Sequence, residues 1–236
     1  MSQNNRGPWV AAIVGGVIGS ALTAGVLVLA GPGLFGEKLV REALIANPNM
    51  LVDAGEALRE QQFAKTLEPI RASVERPFYS SWKGADKPEV TLTYFYDYAC
   101  GYCRQSNPDI ERLLKEDKGL RVVYRELPIL GPDSVAAARV SLAASKTGKF
   151  AQFHDALYAA GRPGPDTIAL AARAAGVPAQ PANDPAQEAE LRANMALASQ
   201  LGATGTPLFV VGDRVMNAAV GYDALKEAIS AAKRKA

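Results

Sequence analysis

The chain has 236 residues, of which 48% are hydrophobic and 21% are charged, so it can bury a core and wholesale disorder is excluded. Its 26 basic and 24 acidic residues nearly balance, which argues against a dedicated nucleic-acid-binding protein. The two cysteines, Cys100 and Cys103, cannot by themselves build a disulfide framework or a four-ligand zinc site. A single histidine, His154, excludes most histidine-based metal chemistry, and we expect neither a metal nor another cofactor.

The N-terminal segment 1–36 is predicted to be a membrane anchor. Trp9 to Ala30 form an uninterrupted run of uncharged, mostly apolar residues, which as a helix would span about 33 Å, the thickness of a hydrocarbon core. A signal peptide cleaved after Val28-Leu29-Ala30 is the alternative, although its apolar region is usually shorter. Arg6 precedes the run and favours a cytoplasmic N-terminus. We therefore expect a single-pass inner-membrane protein with its catalytic domain in the periplasm, where a Cys-x-x-Cys pair can be oxidised; cleavage would leave a soluble periplasmic protein.

Residues 37–79 are predicted to be an amphipathic helical segment. Apolar residues recur on one helical face and, after a phase change, on another, and Pro69 should kink or end the helix. An amphipathic helix must bury its apolar stripe against something. Two outcomes stay open: the stripe packs on the chain's own domain, or copies of the chain form a homo-oligomer through residues 37–76.

Residues 80–88 are predicted to be a linker, and from residue 89 to 236 the pattern becomes that of an α/β domain. The predicted order is β-α-β, a block of helices over about 132–201, and then β-β-α. The predicted strands are Val90–Tyr96, Leu120–Leu127, Leu208–Val211 and Arg214–Asn217. The predicted helices are Cys100–Glu116, Asp133–Lys146, Phe150–Ala160, Asp166–Ala175, Pro185–Leu201 and Tyr222–Lys233.

The motif that carries chemistry is Cys100-Gly101-Tyr102-Cys103, which follows the first strand and opens a helix. A thiol at a helix N-terminus lies among unpaired N–H groups at the positive end of the helix dipole, and both stabilise a thiolate. Arg104 is a candidate for adding to this effect. We therefore predict that Cys100 attacks a substrate disulfide and that Cys103, one turn further in, resolves the mixed disulfide. A purely structural disulfide is the alternative, but closing so short a loop removes little entropy from the unfolded chain.

Residues 89–233 resemble the DsbA-like thiol–disulfide oxidoreductases of the thioredoxin fold. The resemblance rests on the runs TLTYFYDYACGYC and RELPILGPDSVAAARV, the stretch FHDALY, and the Gly-Thr-Pro that precedes the last hairpin. It implies a thioredoxin fold in which the helices at about 132–201 are the family's helical insertion. It also implies that Pro207 is cis and faces the cysteines, so that Thr206 can offer its backbone N–H and C=O to an extended substrate strand.

The two residues between the cysteines narrow the resemblance further. Gly101 and Tyr102 are similar to the pair found in periplasmic disulfide isomerases and in the copper-sensitivity suppressor (ScsC-like) branch of the family. The family's strong oxidant has Pro-His there, so a less extreme redox pair is implied here. Together with Thr206 and Pro207, these residues are expected to contact the substrate. Members of that branch can also carry an N-terminal oligomerisation segment.

One position departs from the family pattern. Many members carry a buried acid where this chain has Tyr94. A proton acceptor for Cys103 must then come from elsewhere, and Asp97, Glu126 and water are the candidates for tuning the thiolates. Asp97 has a second interpretation as a capping or loop acid. His154 lies among apolar neighbours and is predicted to be a core residue.

Two functions from different classes follow from these observations. The first is a membrane-tethered thiol–disulfide oxidoreductase that forms or isomerises disulfides in exported proteins, with a membrane oxidase or reductase as its redox partner. Assembly through residues 37–76 would present several cysteine pairs to one substrate and suit isomerisation, whereas fold-back would favour a monomeric oxidase. The alternative is a thiol-based Cu(I)-binding or adaptor protein in copper tolerance, in which two thiolates bind Cu(I) linearly. No nucleic-acid partner is expected.

Overall fold

The computed structural model describes residues 36–235, which divide into two compact units, one ending at Ala57 and the other beginning at Leu58. The predicted membrane segment, Trp9–Ala30, lies outside the described residues. Within the described range, no helix combines the length and the hydropathy that a membrane crossing requires.

The first unit contains helix α1 (Gly36–Ala46) and the beginning of α2 (Asn49–Leu67). The helical character predicted for this part of the segment is therefore confirmed. The apolar side chains of Leu39, Val40 and Ile45 on α1 are each more than half exposed. Self-association through these side chains stays a prediction.

The second unit is built on a five-stranded sheet with the strand order β1-β3-β2-β4-β5. Strands β2 and β3 are parallel, and the other neighbouring strands are antiparallel. Because β2 lies in the middle and is covered on both faces, its sequence is almost continuously apolar and aromatic. The strands are β1 (Trp82–Gly84), β2 (Val90–Tyr96), β3 (Leu120–Glu126), β4 (Leu208–Val211) and β5 (Arg214–Met216).

The segment 80–88 contains a strand and is not the linker that the sequence predicts. Strand β1 pairs with β3, so that Trp82 lies opposite Val123. Gly84 has a φ of 99°, and a Cβ at this position would lie 2.3 Å from the carbonyl oxygen of Leu120. The glycine is therefore required by close approach of two backbones and does not mark a flexible connection. A strand of three residues is too short for alternation to be recognised in the sequence.

The predicted amphipathic segment also belongs in part to the second unit. Helix α2 ends two residues before Pro69, as expected of a proline, and the short helix α3 (Arg71–Glu75) follows it. Leu67 and Val74 are fully buried in a cluster on one face of the sheet. From Phe63 onward, therefore, the stripe packs on the chain's own domain.

Six further helices follow β2 in this unit of the described chain. Helices α4 and α9 contact each other and the sheet, α5, α6 and α7 contact one another, and α8 contacts β3. Each one begins and ends within two residues of its predicted bounds. They are α4 (Gly101–Glu116), α5 (Pro132–Lys146), α6 (Phe150–Ala160), α7 (Pro165–Ala175), α8 (Pro185–Gln200) and α9 (Gly221–Lys235).

A buried arginine joins the sheet to the helices on one of its faces. Arg125 on β3 is 3% exposed and donates to the carbonyl oxygens of Val74 (2.9 Å) and Arg76 (2.7 Å) at the end of α3. It also donates to Glu190 (2.9 Å) and Asn194 (2.6 Å) on α8. One guanidinium thereby compensates its own burial and holds two helices against the strand.

Candidate active site

Cys100 lies between β2 and α4 and is the N-cap residue of that helix. The Cys103 N–H donates to Cys100 Sγ at 3.3 Å, and Cys100 Sγ in turn donates to the carbonyl oxygen of Thr206 at 3.3 Å. Both cysteines are free thiols; Cys100 is 6% exposed and Cys103 is fully buried. A sulfur that accepts a helix N-terminal N–H is stabilised as a thiolate. Of the two sulfurs, Cys100 is therefore suited to react with an incoming disulfide.

The second thiol has the opposite environment. Burial raises the pKa of Cys103 to about 12, so this thiol stays protonated at neutral pH. The Tyr94 hydroxyl donates to the backbone carbonyl of Cys103 at 3.1 Å. The tyrosine that replaces the family's buried acid therefore binds the backbone of the cysteine and holds the first turn of α4 against β2.

The loop before β4 completes the surroundings of Cys100. The Thr206–Pro207 peptide bond is cis. Pro207 is buried, whereas Thr206 is partly exposed and its carbonyl accepts the Cys100 thiol. Because β4 is the antiparallel neighbour of β2, this loop lies at the same sheet edge as the cysteines. The structure thus brings together Cys100 and Thr206, which are far apart in the sequence.

Gly101 and Tyr102 lie on the exposed side of the helix start. Tyr102 is 65% exposed, and a Cβ added at Gly101 would meet only open space. Both residues are therefore open to solvent close to Cys100, and their contact with a substrate stays a prediction.

The carboxylate of Asp97 is occupied by backbone amides. Its Oδ1 accepts the N–H of Ala99 at 2.8 Å, and its Oδ2 accepts those of Ile129 (2.8 Å) and Leu130 (2.9 Å). This is the geometry of the capping interpretation. Among the side-chain hydrogen bonds of residues 36–235, none joins the Asp97 carboxylate to Cys103.

Glu126 is a fully buried carboxyl on β3, directly opposite Tyr96 in the register. The Tyr96 hydroxyl donates to it. Burial raises the pKa of Glu126 to about 8, so the group is mainly protonated at neutral pH. No hydrogen bond in the described part of the chain connects it to Cys103. Its assignment as the proton acceptor stays a prediction.

The Arg104 side chain, a candidate for stabilising the Cys100 thiolate, makes its hydrogen bonds to helix α6. Its guanidinium donates to the carbonyl oxygens of Tyr158 and Gly161, the latter at 2.6 Å, at the C-terminal end of α6. Carbonyl groups at a helix C-terminus lack partners within the helix and attract a cation. The side chain therefore caps α6, and this geometry directs its charge toward the helical insertion.

A buried polar network lies beneath the cysteines and was not predicted from the sequence. Tyr96 and Tyr98 hydroxyls are 3.1 Å apart, and Tyr98 donates to Ser141 at 3.0 Å. His154 Nδ1 lies 3.4 Å from the Tyr98 hydroxyl, and burial holds the pKa of His154 well below its usual range. His154 is thus the neutral core residue that the sequence indicated. The signal for the network was the spacing of Tyr94, Tyr96 and Tyr98: the first two lie on one face of β2, and Tyr98 lies in the turn that follows the strand.

Comparisons with known proteins agree with this geometry. A family model described as DSBA-like thioredoxin domain matches residues 91–230. The chain is 36% identical to a thioredoxin-like oxidoreductase from Silicibacter pomeroyi DSS-3, with a TM-score of 0.63 over 70% of this chain and 98% of that one. It is 30% identical to a periplasmic thioredoxin-like protein from Salmonella enterica serovar Typhimurium, with a TM-score of 0.65 over 70% and 96%. It is 25% identical to the catalytic domain of Proteus mirabilis ScsC, with a TM-score of 0.67 over 72% and 98%.

Two curated relatives match a smaller part of the chain. They are the Na(+)/H(+) antiporters NhaA 3 from Salinispora tropica and NhaA 1 from Salinispora arenicola, each 34% identical over 79 residues. The match covers 33% of this chain and only 12% of the length of each antiporter. The structural similarities instead identify the second unit as a thioredoxin-like α/β domain with a helical insertion.

Proposed function

Since the chain belongs to the DSBA-like thioredoxin domain family, as a thiol–disulfide oxidoreductase of the DsbA and ScsC type, we propose that it forms or isomerises disulfides in exported proteins through Cys100 and Cys103. The observation that carries the proposal is the position of Cys100 Sγ. It accepts the Cys103 N–H at the start of α4 and lies 3.3 Å from the Thr206 carbonyl, at a sheet edge where a substrate chain can reach it. The exposed side chain of Tyr102 lies two positions after Cys100 in the sequence.

Disulfide formation runs through a mixed disulfide. A substrate thiolate attacks Cys100 Sγ in the oxidised pair, the Cys100–Cys103 bond breaks, and the Cys103 thiolate leaves and takes up a proton. The high pKa of Cys103, about 12, keeps that proton in place once it is bound. A second substrate thiolate then attacks the substrate sulfur of the mixed disulfide and releases the Cys100 thiolate. The substrate has lost two electrons and the cysteine pair has gained them.

Isomerisation uses the same residues in the reduced state. The Cys100 thiolate attacks a non-native substrate disulfide, forms a mixed disulfide with one substrate cysteine and releases the other as a thiolate. Another substrate thiolate then displaces Cys100 from the mixed disulfide, so the pair is returned reduced and no net oxidation occurs. If the first mixed disulfide stalls, Cys103 displaces the substrate and forms the Cys100–Cys103 disulfide.

The reduction potential of the pair tests both uses against the activity of a reductase. We would equilibrate the full chain, in detergent, with mixtures of reduced and oxidised glutathione. A potential at or above about −180 mV supports formation or shuffling of disulfides, and a value near −270 mV would indicate a reductase supplied with electrons by a membrane partner. The absence of any thiol-dependent transition would overturn the proposal.

We place the chain in the inner membrane, with Trp9–Ala30 as its span and the cysteine pair in the periplasm. The apolar run supports this location, as does the similarity to a periplasmic protein from Salmonella. After expression in a Gram-negative host, the uncleaved chain should stay in the membrane fraction after carbonate extraction. Because the chain has only two cysteines, an impermeant maleimide, applied after reduction with an impermeant phosphine to intact cells with a permeable outer membrane, reports on their location. A soluble product that begins after Ala30 would show a cleaved signal peptide instead.

Cu(I) binding by the two thiols stays the alternative prediction. It requires Cys103 to lose its proton, and the pKa of about 12 that burial imposes on this thiol opposes the loss. Competition with a Cu(I)-specific chelator tests this alternative. It would be supported if the wild type retained Cu(I) while Cys100→Ser and Cys103→Ser both lost it to the chelator to the same extent.

A further inference from the structure

Three segments of the chain meet at the sheet edge that holds the cysteines. Strands β2 and β3 are parallel and both end there, at Tyr96 and Glu126, whereas the antiparallel β4 begins there at Leu208. Strand β2 lies between β3 and β4. Cys100, which follows β2, therefore has the Thr206 loop on one side and the loop 127–131, which follows β3, on the other.

A single buried carboxylate joins this second loop to the cysteine turn. Asp97 is 1% exposed; it accepts the Ala99 N–H with one oxygen and the N–H groups of Ile129 and Leu130 with the other, all within 2.9 Å. Its own carbonyl accepts the N–H of Cys100 at 3.0 Å. Three hydrogen bonds from N–H groups compensate the burial of a carboxylate, and they fix the loop relative to Cys100.

The loop presents apolar side chains to solvent. Ile129 is 41% exposed and Leu130 is 48% exposed; we call these two side chains the apolar lip. Their backbone N–H groups are already bonded to Asp97, so they cannot pair with the backbone of another chain. These two residues therefore offer a substrate their exposed side chains and not their N–H groups.

We infer that the apolar lip is a specificity surface for an apolar side chain of the substrate polypeptide, and that Asp97 is the positioning residue that holds it beside Cys100. This inference rests on the proposed function. A substrate chain that runs along Thr206 and places its cysteine at Cys100 continues from the β4 side across β2 toward β3. Neighbouring strands lie about 4.8 Å apart and an extended chain advances about 3.3 Å per residue, so the lip, one strand spacing from Cys100, receives a residue about one or two positions from the substrate cysteine. Because the lip lies on one side of Cys100 only, the preference should apply to one direction along the substrate.

Disulfide exchange at equilibrium tests this with the full chain. The Cys103→Ser variant is prepared with glutathione on Cys100, and a cysteine peptide displaces the glutathione to form the peptide–Cys100 disulfide. Three peptides are compared: one with Leu two residues before the cysteine, one with Leu two residues after it, and one with Ser at both positions. We expect one of the two Leu peptides to have an exchange constant about tenfold above that of the Ser peptide, as for a partly buried leucine.

Variants assign the preference to the lip. Ile129→Ser combined with Leu130→Ser should reduce the preference to less than about twofold, since both side chains are exposed and their loss removes only contact area. Leu170→Ser, which replaces a 52% exposed leucine on α7, is the matched control and should retain it. Asp97→Asn should also weaken the preference, because an amide has one acceptor oxygen and cannot serve all three N–H groups.

Several results would overturn the inference. It fails if no Leu peptide is preferred, if both are preferred equally, or if the preference survives loss of the lip. It also fails if the lip variant changes the oligomeric mass while the preference is kept, since the lip would then be a contact between copies of the chain. The proposed function fails separately, if neither glutathione nor any peptide forms a disulfide with Cys100.

Discussion

At the scale of single residues, the chain places two thiols of opposite character one helical turn apart. Cys100 lies at the N-cap, accepts a backbone N–H and faces the Thr206 carbonyl. Cys103 points into the core, where burial raises its pKa to about 12. Since thiolates and not thiols attack disulfides, the burial of Cys103 supports the proposal that Cys100 attacks and Cys103 resolves the mixed disulfide.

Replacing Glu126 should make the protein more stable at neutral and alkaline pH. Burial raises the pKa of this carboxyl from 4.5 to about 8, so the folded protein keeps a proton that the unfolded chain releases above pH 4.5. Wild-type stability should therefore fall as the pH rises from 4.5 through 8. Glu126→Gln keeps an acceptor for Tyr96 but cannot ionise, and its advantage should grow over this range to roughly 3 kcal/mol at pH 7. Urea denaturation of both proteins at pH 4.5, 6 and 8 measures the difference.

Glu116 provides a control of opposite sign. Its hydrogen bond from Tyr222, together with those from Arg112 and Lys226, lowers the pKa of this exposed carboxyl to about 2. Its contribution to stability is present above pH 4.5 and is lost as the pH falls through 2. Glu116→Gln should therefore be less stable than the wild type at pH 6 and lose that difference in acid. If Glu126→Gln instead followed the wild type at every pH, the buried carboxyl would not be protonated as the structure requires.

At the scale of secondary structure, Arg125 joins β3 to α3 and α8 from a position that is almost fully buried. Arg125→Ala should lower the free energy of unfolding by about 3–5 kcal/mol, because it leaves Glu190, Asn194 and backbone carbonyls without their donor. The control is Arg139→Ala. Arg139 lies on α5 and forms an exposed ion pair with Glu188, which lies on α8 as Glu190 does. That pair should contribute at most about 1 kcal/mol. Similar losses in the two variants, measured by urea denaturation, would contradict a structural role for Arg125.

The secondary structure could be predicted where local chemistry alone decides it. Helix α7, for example, begins at Pro165 and ends before Gly176, whose φ of 69° suits glycine, so both bounds are encoded by adjacent residues. Strand β1 could not be predicted, because three residues carry no periodicity and their place depends on a partner strand almost forty positions later in the chain. The packing of Leu67 and Val74 on the sheet depends likewise on residues distant in the sequence.

In the candidate site, too, features set by short motifs could be predicted and features set by residues distant in the sequence could not. Its cysteines and the Thr206–Pro207 pair belong to short motifs, and a resemblance to a family was enough to place them together. The capping interpretation of Asp97 agrees with its hydrogen bonds to backbone N–H groups, although its partners in the loop 127–131 could not be named from the sequence. The contacts of Arg104 could not be predicted, because they lie at the end of α6, whereas proximity in the sequence indicated a role in tuning the thiolates.

At the scale of the whole molecule, residues 36–57 expose apolar side chains that no described residue of the first unit buries. If copies associate through this segment, Leu39→Lys combined with Ile45→Lys should reduce the mass of the full chain in detergent to that of a monomer, because charges in an apolar contact are costly. Sedimentation equilibrium measures this mass. Leu170→Lys, on α7, is the control and should leave the mass unchanged. A wild-type chain that is already monomeric would instead favour a monomeric oxidase.

The most direct measurement is to trap the mixed disulfide. The reduced Cys100→Ser and Cys103→Ser variants of the full chain are each mixed with a protein that carries non-native disulfides, such as scrambled ribonuclease, and quenched with acid. We expect Cys103→Ser to accumulate an adduct that dithiothreitol removes and that peptide mass mapping places on Cys100, because the residue that would resolve it is absent. Cys100→Ser should give almost none, since burial keeps Cys103 protonated and out of reach of the substrate. An equal or larger adduct on Cys103, or none on either variant, would contradict the assignment of Cys100 as the attacking thiol.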